Sequence, residues 1–230
     1  IDGNGQVEVL TPEQATHEAY FSKSGRYFVD NYSRADLEPR SVLRDNKGKV
    51  IMELASPDLT RLYETGWKMP EPFTVKAADG HTDLYGFMWK PFDFDSSRHY
   101  PIISYVYPGP QTEAIPLEFS VTAAYNVGLA QVGFVVVTFG HRGGSPMRDK
   151  WYHTFGYNNL RDYPLADDKC GIEQLADRFS FIDKSKVGIF GHSGGGFMST
   201  AALCTYPDFY TAAVSSAGNH DNNIYNQWWG

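Results

Sequence analysis

The chain opens on short runs in which apolar and polar positions alternate. Tyr20-Phe21 precedes the turn Ser22-Lys23-Ser24-Gly25, Tyr27 to Asp30 and Ser41 to Arg44 follow, and Val50-Ile51-Met52 comes after Asp45-Asn46-Lys47-Gly48. Brief apolar runs separated by turn formers predict β-strands in a meander. One blade of about four strands cannot bury both of its faces. Residues 1–65 therefore read as the C-terminal end of a β-propeller-like domain, the other reading being a β-extension complete in itself. Pro57 to Trp67 predicts a short helix, with Ser56 as a cap and Pro57 at its first position.

From Pro72 the pattern changes. Phe73 to Val75 and Leu84 to Trp89 flank Ala78-Asp79-Gly80, which predicts a hairpin. Pro101 to Tyr107 and Val132 to Phe139 are apolar throughout, as expected of strands covered on both faces. Helical patterns lie around Glu118 to Gln131 and Leu160 to Phe179. Such alternation predicts an α/β fold with a mostly parallel sheet and right-handed crossovers.

Lys186 to Phe190 reads as a strand and Gly195 to Tyr206 as a helix. Between them stands Gly191-His192-Ser193-Gly194-Gly195. A serine on so sharp a strand-to-helix turn needs a strained backbone, and side chains two residues to either side would collide, so both positions call for glycine. This is the grammar of a nucleophile elbow, and Ser193 is the candidate nucleophile. The alternative is a glycine-rich structural turn whose serine is idle.

Composition narrows the function classes. A hydrophobic content of 42% with 15% aromatics is that of a globular chain, and a net charge of −7 argues against nucleic-acid binding. No apolar run reaches the roughly 20 residues that span a bilayer. There is no paired-cysteine zinc spacing and no H-E-x-x-H, so neither metal nor cofactor is expected. Cys170 and Cys204 fall in predicted helices and are expected to be free, packed thiols. Ile1-Asp2-Gly3-Asn4-Gly5 lacks an initiator methionine and a targeting pattern, and reads as the start of an already cut chain.

Three stretches together resemble a known family: YPIISYVYPGPQ from Tyr100 to Gln111, FGHRGG from Phe139 to Gly144, and GHSGGGFMS from Gly191 to Ser199. They are similar to the α/β-hydrolase domain of the prolyl oligopeptidase family, in its dipeptidyl peptidase IV-like branch. The resemblance implies that residues 66–230 are the N-terminal part of an α/β-hydrolase catalytic domain following a propeller. It implies a serine peptidase that cleaves peptides, often after proline, in a periplasmic or extracellular setting. By position, Ser193 would be the nucleophile, and the Gly194 N–H and the Tyr107 hydroxyl the two halves of an oxyanion hole. Tyr107 could equally be a strand-end aromatic packed under Pro108-Gly109-Pro110. The resemblance places aromatic walls for a proline ring near Tyr225, Trp228 and Trp229, of which Tyr225 is the candidate substrate-binding residue. Arg142 stands where the family has an Asp-x-Arg-Gly loop and is expected to form a structural ion pair. His141 and His192 are expected to be a loop residue and a flanking residue rather than the base.

The fold places the triad acid and base after the serine, on loops of later strands. Asp208, His220 and Asp221 come too early for those roles, so the chain reads as an internal piece whose triad is completed elsewhere. Two alternatives share the elbow: a non-peptidase ester hydrolase, and a catalytically silent interaction scaffold. The strand Thr211 to Ser216 carries no lysine or proline to blunt an exposed edge, which predicts self-association.

Overall fold

The structure, a computed structural model, describes residues 5–109, 112–157, 159 and 162–221. Its chain divides into two compact units, residues 1–69 with 116–123, and residues 70–115 with 124–230.

The first unit is an antiparallel meander of β1 (Thr16–Phe21), β2 (Tyr27–Arg34), β3 (Leu37–Asp45) and β4 (Val50–Ala55), paired in sequence order. Alternation in the sequence becomes alternation in burial. Phe28, Asp30, Val42 and Arg44 point inward, whereas every residue of β4 is exposed. The buried Arg44 is satisfied by three acceptors, with Asp30 at 2.8 Å, Glu13 at 2.7 Å and the Gly48 carbonyl at 3.0 Å. Each end of so buried a guanidinium needs such a partner.

The helix expected from Pro57 is the single turn α1 (Thr60–Glu64). Ser56 and Pro57 lie outside it, because Asp58 Oδ1 takes the Thr60 N–H (3.0 Å) and starts the turn later. The pattern around Glu118 also misleads. Residues 116–123 form no helix, since their polar groups are committed to other partners: Leu117 O accepts from Thr16, the Phe119 N–H donates to Ser33, and Val121 O accepts from the Trp67 indole (2.9 Å). Only α2 (Asn126–Gln131) remains of that expectation.

The second unit is built on a six-stranded sheet. Its strands are β5 (Glu71–Lys76), β6 (Asp83–Trp89), β7 (Tyr100–Tyr105), β8 (Val135–Phe139), β9 (Ile182–His192) and β10 (Tyr210–Ser216), in the order β10-β9-β7-β8-β6-β5. Pairing is parallel from β10 to β8 and antiparallel where β6 joins β8 and β5. All five residues of β8 are buried, as its apolar run requires. In β7, by contrast, buried and half-buried residues alternate, so its outer face is only partly covered. One hydrophobic core is formed by these strands with α4 (Leu165–Arg178) and α5 (Gly194–Thr205). The short α3 (Lys150–His153), capped by the Asp149 carboxylate on the Tyr152 N–H, had no clear sequence signal. Cys170 is half-buried and free, but Cys204 lies on the outer side of α5 and is exposed rather than packed.

Candidate active site

β9 runs the length of the core and ends at His192; α5 begins at Gly194. Ser193 carries the whole reversal, with φ 55° and ψ −117°. For a residue with a Cβ that conformation costs about 1–3 kcal/mol, and it persists only where neighbours over-determine it. Here the Ser193 N–H donates to Ser216 O on β10 (2.8 Å) and its carbonyl accepts from Phe197 N–H (3.0 Å). Ser215 Oγ adds a bond to Gly196 O (2.8 Å).

The flanking glycines are required by space. A Cβ at Gly191 would lie 2.3 Å from Val106 O, one at Gly195 2.0 Å from that same oxygen, and one at Gly194 2.7 Å from Pro108 O. The elbow therefore lies directly on the backbone that leaves β7, Val106-Tyr107-Pro108. Tyr107 is half-buried in this stretch, its Cα 3.5 Å from where a Gly195 Cβ would stand. Ser193, Gly194 and Tyr107 are thus brought together. Burial, with Tyr107 and Tyr125 nearby, pushes the Tyr105 hydroxyl above its ordinary range. Tyr225, Trp228 and Trp229 lie outside the described residues.

Three histidines of the second unit are otherwise engaged. His192 is exposed and pairs through Nδ1 with Ser216 Oγ (2.9 Å). His141 is buried, with Nε2 3.3 Å from Asp168. His153 Nδ1 donates to Gly144 O (2.8 Å). Among the described residues, no histidine hydrogen-bonds the Ser193 hydroxyl.

Two adjacent buried carboxylates, passed over in the sequence, organise the sheet beneath the elbow. Asp168 accepts from Ser104 on β7 (2.7 Å) and Tyr210 on β10 (2.7 Å) while facing His141. Asp167 takes the fork of Arg142, whose Nη2 lies 2.7 Å away, together with the backbone N–H groups of Arg142 and Ala78. Arg142 also reaches Asp79 (3.1 Å) and lies 4.0 Å from the centre of the Phe155 ring, so the expected ion pair is present. Two consecutive aspartates at the buried start of an apolar helix face were the available signal.

A hollow of about 470 Å³ lies on the α2 face of the sheet, lined by Ile103, Tyr105, Tyr125, Leu129, Phe190 and Val214 among others. It reaches Gly191 and His192, but Ser193 is not among its walls. In the first unit Glu13, His17 and Asp30 bring ligand-type atoms within 4.8 Å of one another. Arg44 already pairs with both carboxylates there.

Comparison with known proteins agrees with this geometry. The profile of the prolyl oligopeptidase family matches residues 119–229. Human dipeptidyl peptidase 8 is 29% identical over 93% of the chain, and mouse prolyl endopeptidase FAP is 27% identical over 87%. The chain spans about a quarter of the length of these curated relatives, 24% and 26%. Among solved structures, Porphyromonas gingivalis dipeptidyl peptidase 4 superposes with a TM-score of 0.84 at 25% identity, over 98% of this chain and 32% of that one. Motifs, family profile and structural likeness converge: residues 119–229 match the prolyl oligopeptidase family, and the chain is similar over nearly its whole length to dipeptidyl peptidase IV-like proteins.

Proposed function

We propose that the chain is part of a serine peptidase that hydrolyses peptide bonds, after proline or a small residue, through an acyl-enzyme on Ser193. In this reading residues 1–65 end a propeller-like domain and residues 66–230 begin an α/β-hydrolase catalytic domain. The observation that carries it is the strained Ser193 held on the Val106–Pro108 backbone. Ser193 Oγ attacks the scissile carbonyl carbon while its proton passes to a histidine, and the carbonyl oxygen becomes an oxyanion. The Gly194 N–H and the Tyr107 hydroxyl donate to that oxygen. Collapse expels the amine, which takes the proton from the histidine, and water then releases the acid by the same steps. The base and its acid partner are proposed to come from a longer polypeptide, in keeping with relatives about four times the length of this chain. An aromatic pocket including Tyr225 would suit proline, whose ring is compact and whose nitrogen carries no N–H.

The test is made in the full-length polypeptide with an Xaa-Pro anilide. Ser193→Ala is expected to abolish both turnover and labelling by a fluorophosphonate. Tyr107→Phe is expected to lower kcat by about 10- to 1000-fold with a smaller effect on KM, because its bond tightens as charge develops. The isolated 230-residue chain should show only trace turnover. Full activity after Ser193→Ala would overturn the reading, and cleavage of simple esters without anilides would favour an ester hydrolase.

A further inference from the structure

Glu113 lies beyond the Tyr107 segment, in a position that the proposed chemistry does not use. Its carboxylate accepts the Tyr152 hydroxyl, and Tyr152 is 1% exposed. The same carboxylate lies against two glycines of the loop after β8. A Cβ at Gly140 would be 2.9 Å from Glu113 Oε1, and one at Gly144 2.5 Å. Tyr152 is itself fixed: its N–H is capped by Asp149 (2.9 Å), and Arg148 lies 4.1 Å from its ring centre. Burial and the neighbouring Glu113 charge hold the Tyr152 hydroxyl far above its ordinary range, so it stays a donor at neutral pH.

The chain between is tied at both ends. Val106 N–H donates to Phe190 O (3.0 Å), Pro108 O rests on Gly194, and the Thr112 N–H donates to Gly109 O (3.3 Å). One residue later comes Glu113. We propose that Glu113 is a positioning residue, its carboxylate locked between Tyr152 and the Gly140 and Gly144 backbones so that Tyr107 is held at the oxyanion side of Ser193. This rests on the oxyanion reading of Tyr107 given above. An unanchored side chain there would let the segment shift, and a displacement of about 1 Å at a reacting group can cost 100-fold in rate.

The experiment is a double-mutant cycle in the full-length polypeptide, with kcat and KM measured on an Xaa-Pro anilide. Glu113→Ala is expected to lower kcat about 10- to 100-fold and leave KM within about twofold. Glu113→Gln, which keeps an acceptor for Tyr152, should restore most of that loss. In a Tyr107→Phe background, Glu113→Ala should change kcat by less than about threefold, since the group it positions is gone. Tyr152→Phe removes one hydroxyl and stands in for Glu113→Ala if that variant does not fold. Equal losses in both backgrounds, or an unchanged kcat in Glu113→Ala, overturn the proposal. An unchanged kcat in Tyr107→Phe overturns the oxyanion reading and this inference with it.

Discussion

At the scale of single residues, the buried polar groups of the second unit divide into those that shape the site and those that hold the sheet. Asp168 belongs to the second kind. It bonds hydroxyls from β7 and β10, the strands on either side of β9, and faces a histidine from the loop after β8. Removing it strands three polar groups in a dry core, at about 1–3 kcal/mol for each that finds no new partner. Asp168→Ala is therefore expected to lower unfolding free energy by about 3 kcal/mol or more, and Asp168→Asn by clearly less, since the amide keeps one acceptor in place. Denaturant titration of the two variants checks this. Equal losses would show that only the charge matters, and no loss would remove Asp168 from the account of the sheet.

At the scale of elements, β10 stands at one edge of the described sheet. Its outward positions are open, with Val214 67% exposed, and neither lysine nor proline interrupts it. Unpaired N–H and C=O groups beside small side chains are a template for another strand. The 230-residue chain is expected to self-associate, and Val214→Lys to reduce that association in light scattering. A stable monomer at high concentration before any substitution would contradict it. The elements also show what the sequence made legible. Strands bounded by turn formers, the hairpin of β5 and β6 and the elbow could all be read, because local sterics and period decide them. The helix expected from Glu118 could not, because its fate depends on Ser33, Thr16 and Trp67, which are distant in sequence. Tyr107 was found through family likeness, and its closeness to Ser193 follows from contacts of the three glycines that no spacing rule encodes. Glu113 and the pair Asp167-Asp168 escaped because a lone carboxylate in a sequence looks like surface until its buried partners are known.

At the scale of the whole molecule, the titrating groups bound a pH range on both sides. Burial acts to raise the Asp79 carboxyl, but bonds from Thr82 and His81 and the Arg142 charge hold it well below its ordinary value. Glu13 is likewise raised by burial and lowered further by Arg44. A depressed carboxylate stabilises above its unfolded value of about 4, and this contribution is lost as pH falls through the folded value. Tyr152, Tyr163 and Tyr210 are shifted the other way, chiefly by burial, with nearby carboxylates adding to it. Their stabilisation is complete below the unfolded tyrosine value of about 10 and is lost as pH rises above it. Denaturant midpoints should therefore be flat near neutrality, decline below about pH 4 and decline again above about pH 10. Tyr163→Phe should make the alkaline decline shallower, and an unchanged slope would exclude that tyrosine as a source.

The left-handed backbone at Ser193 sets two selective pressures against each other. Glycine is at home at φ 55°, and the serine side chain forms no described hydrogen bond that would be missed. Exchange to glycine would relieve about 1 kcal/mol of strain. Any search for thermal robustness, natural or in the laboratory, is thus drawn toward deleting the proposed nucleophile. On the proposed reading, a serine at 193 supplies the nucleophile at the cost of that backbone strain.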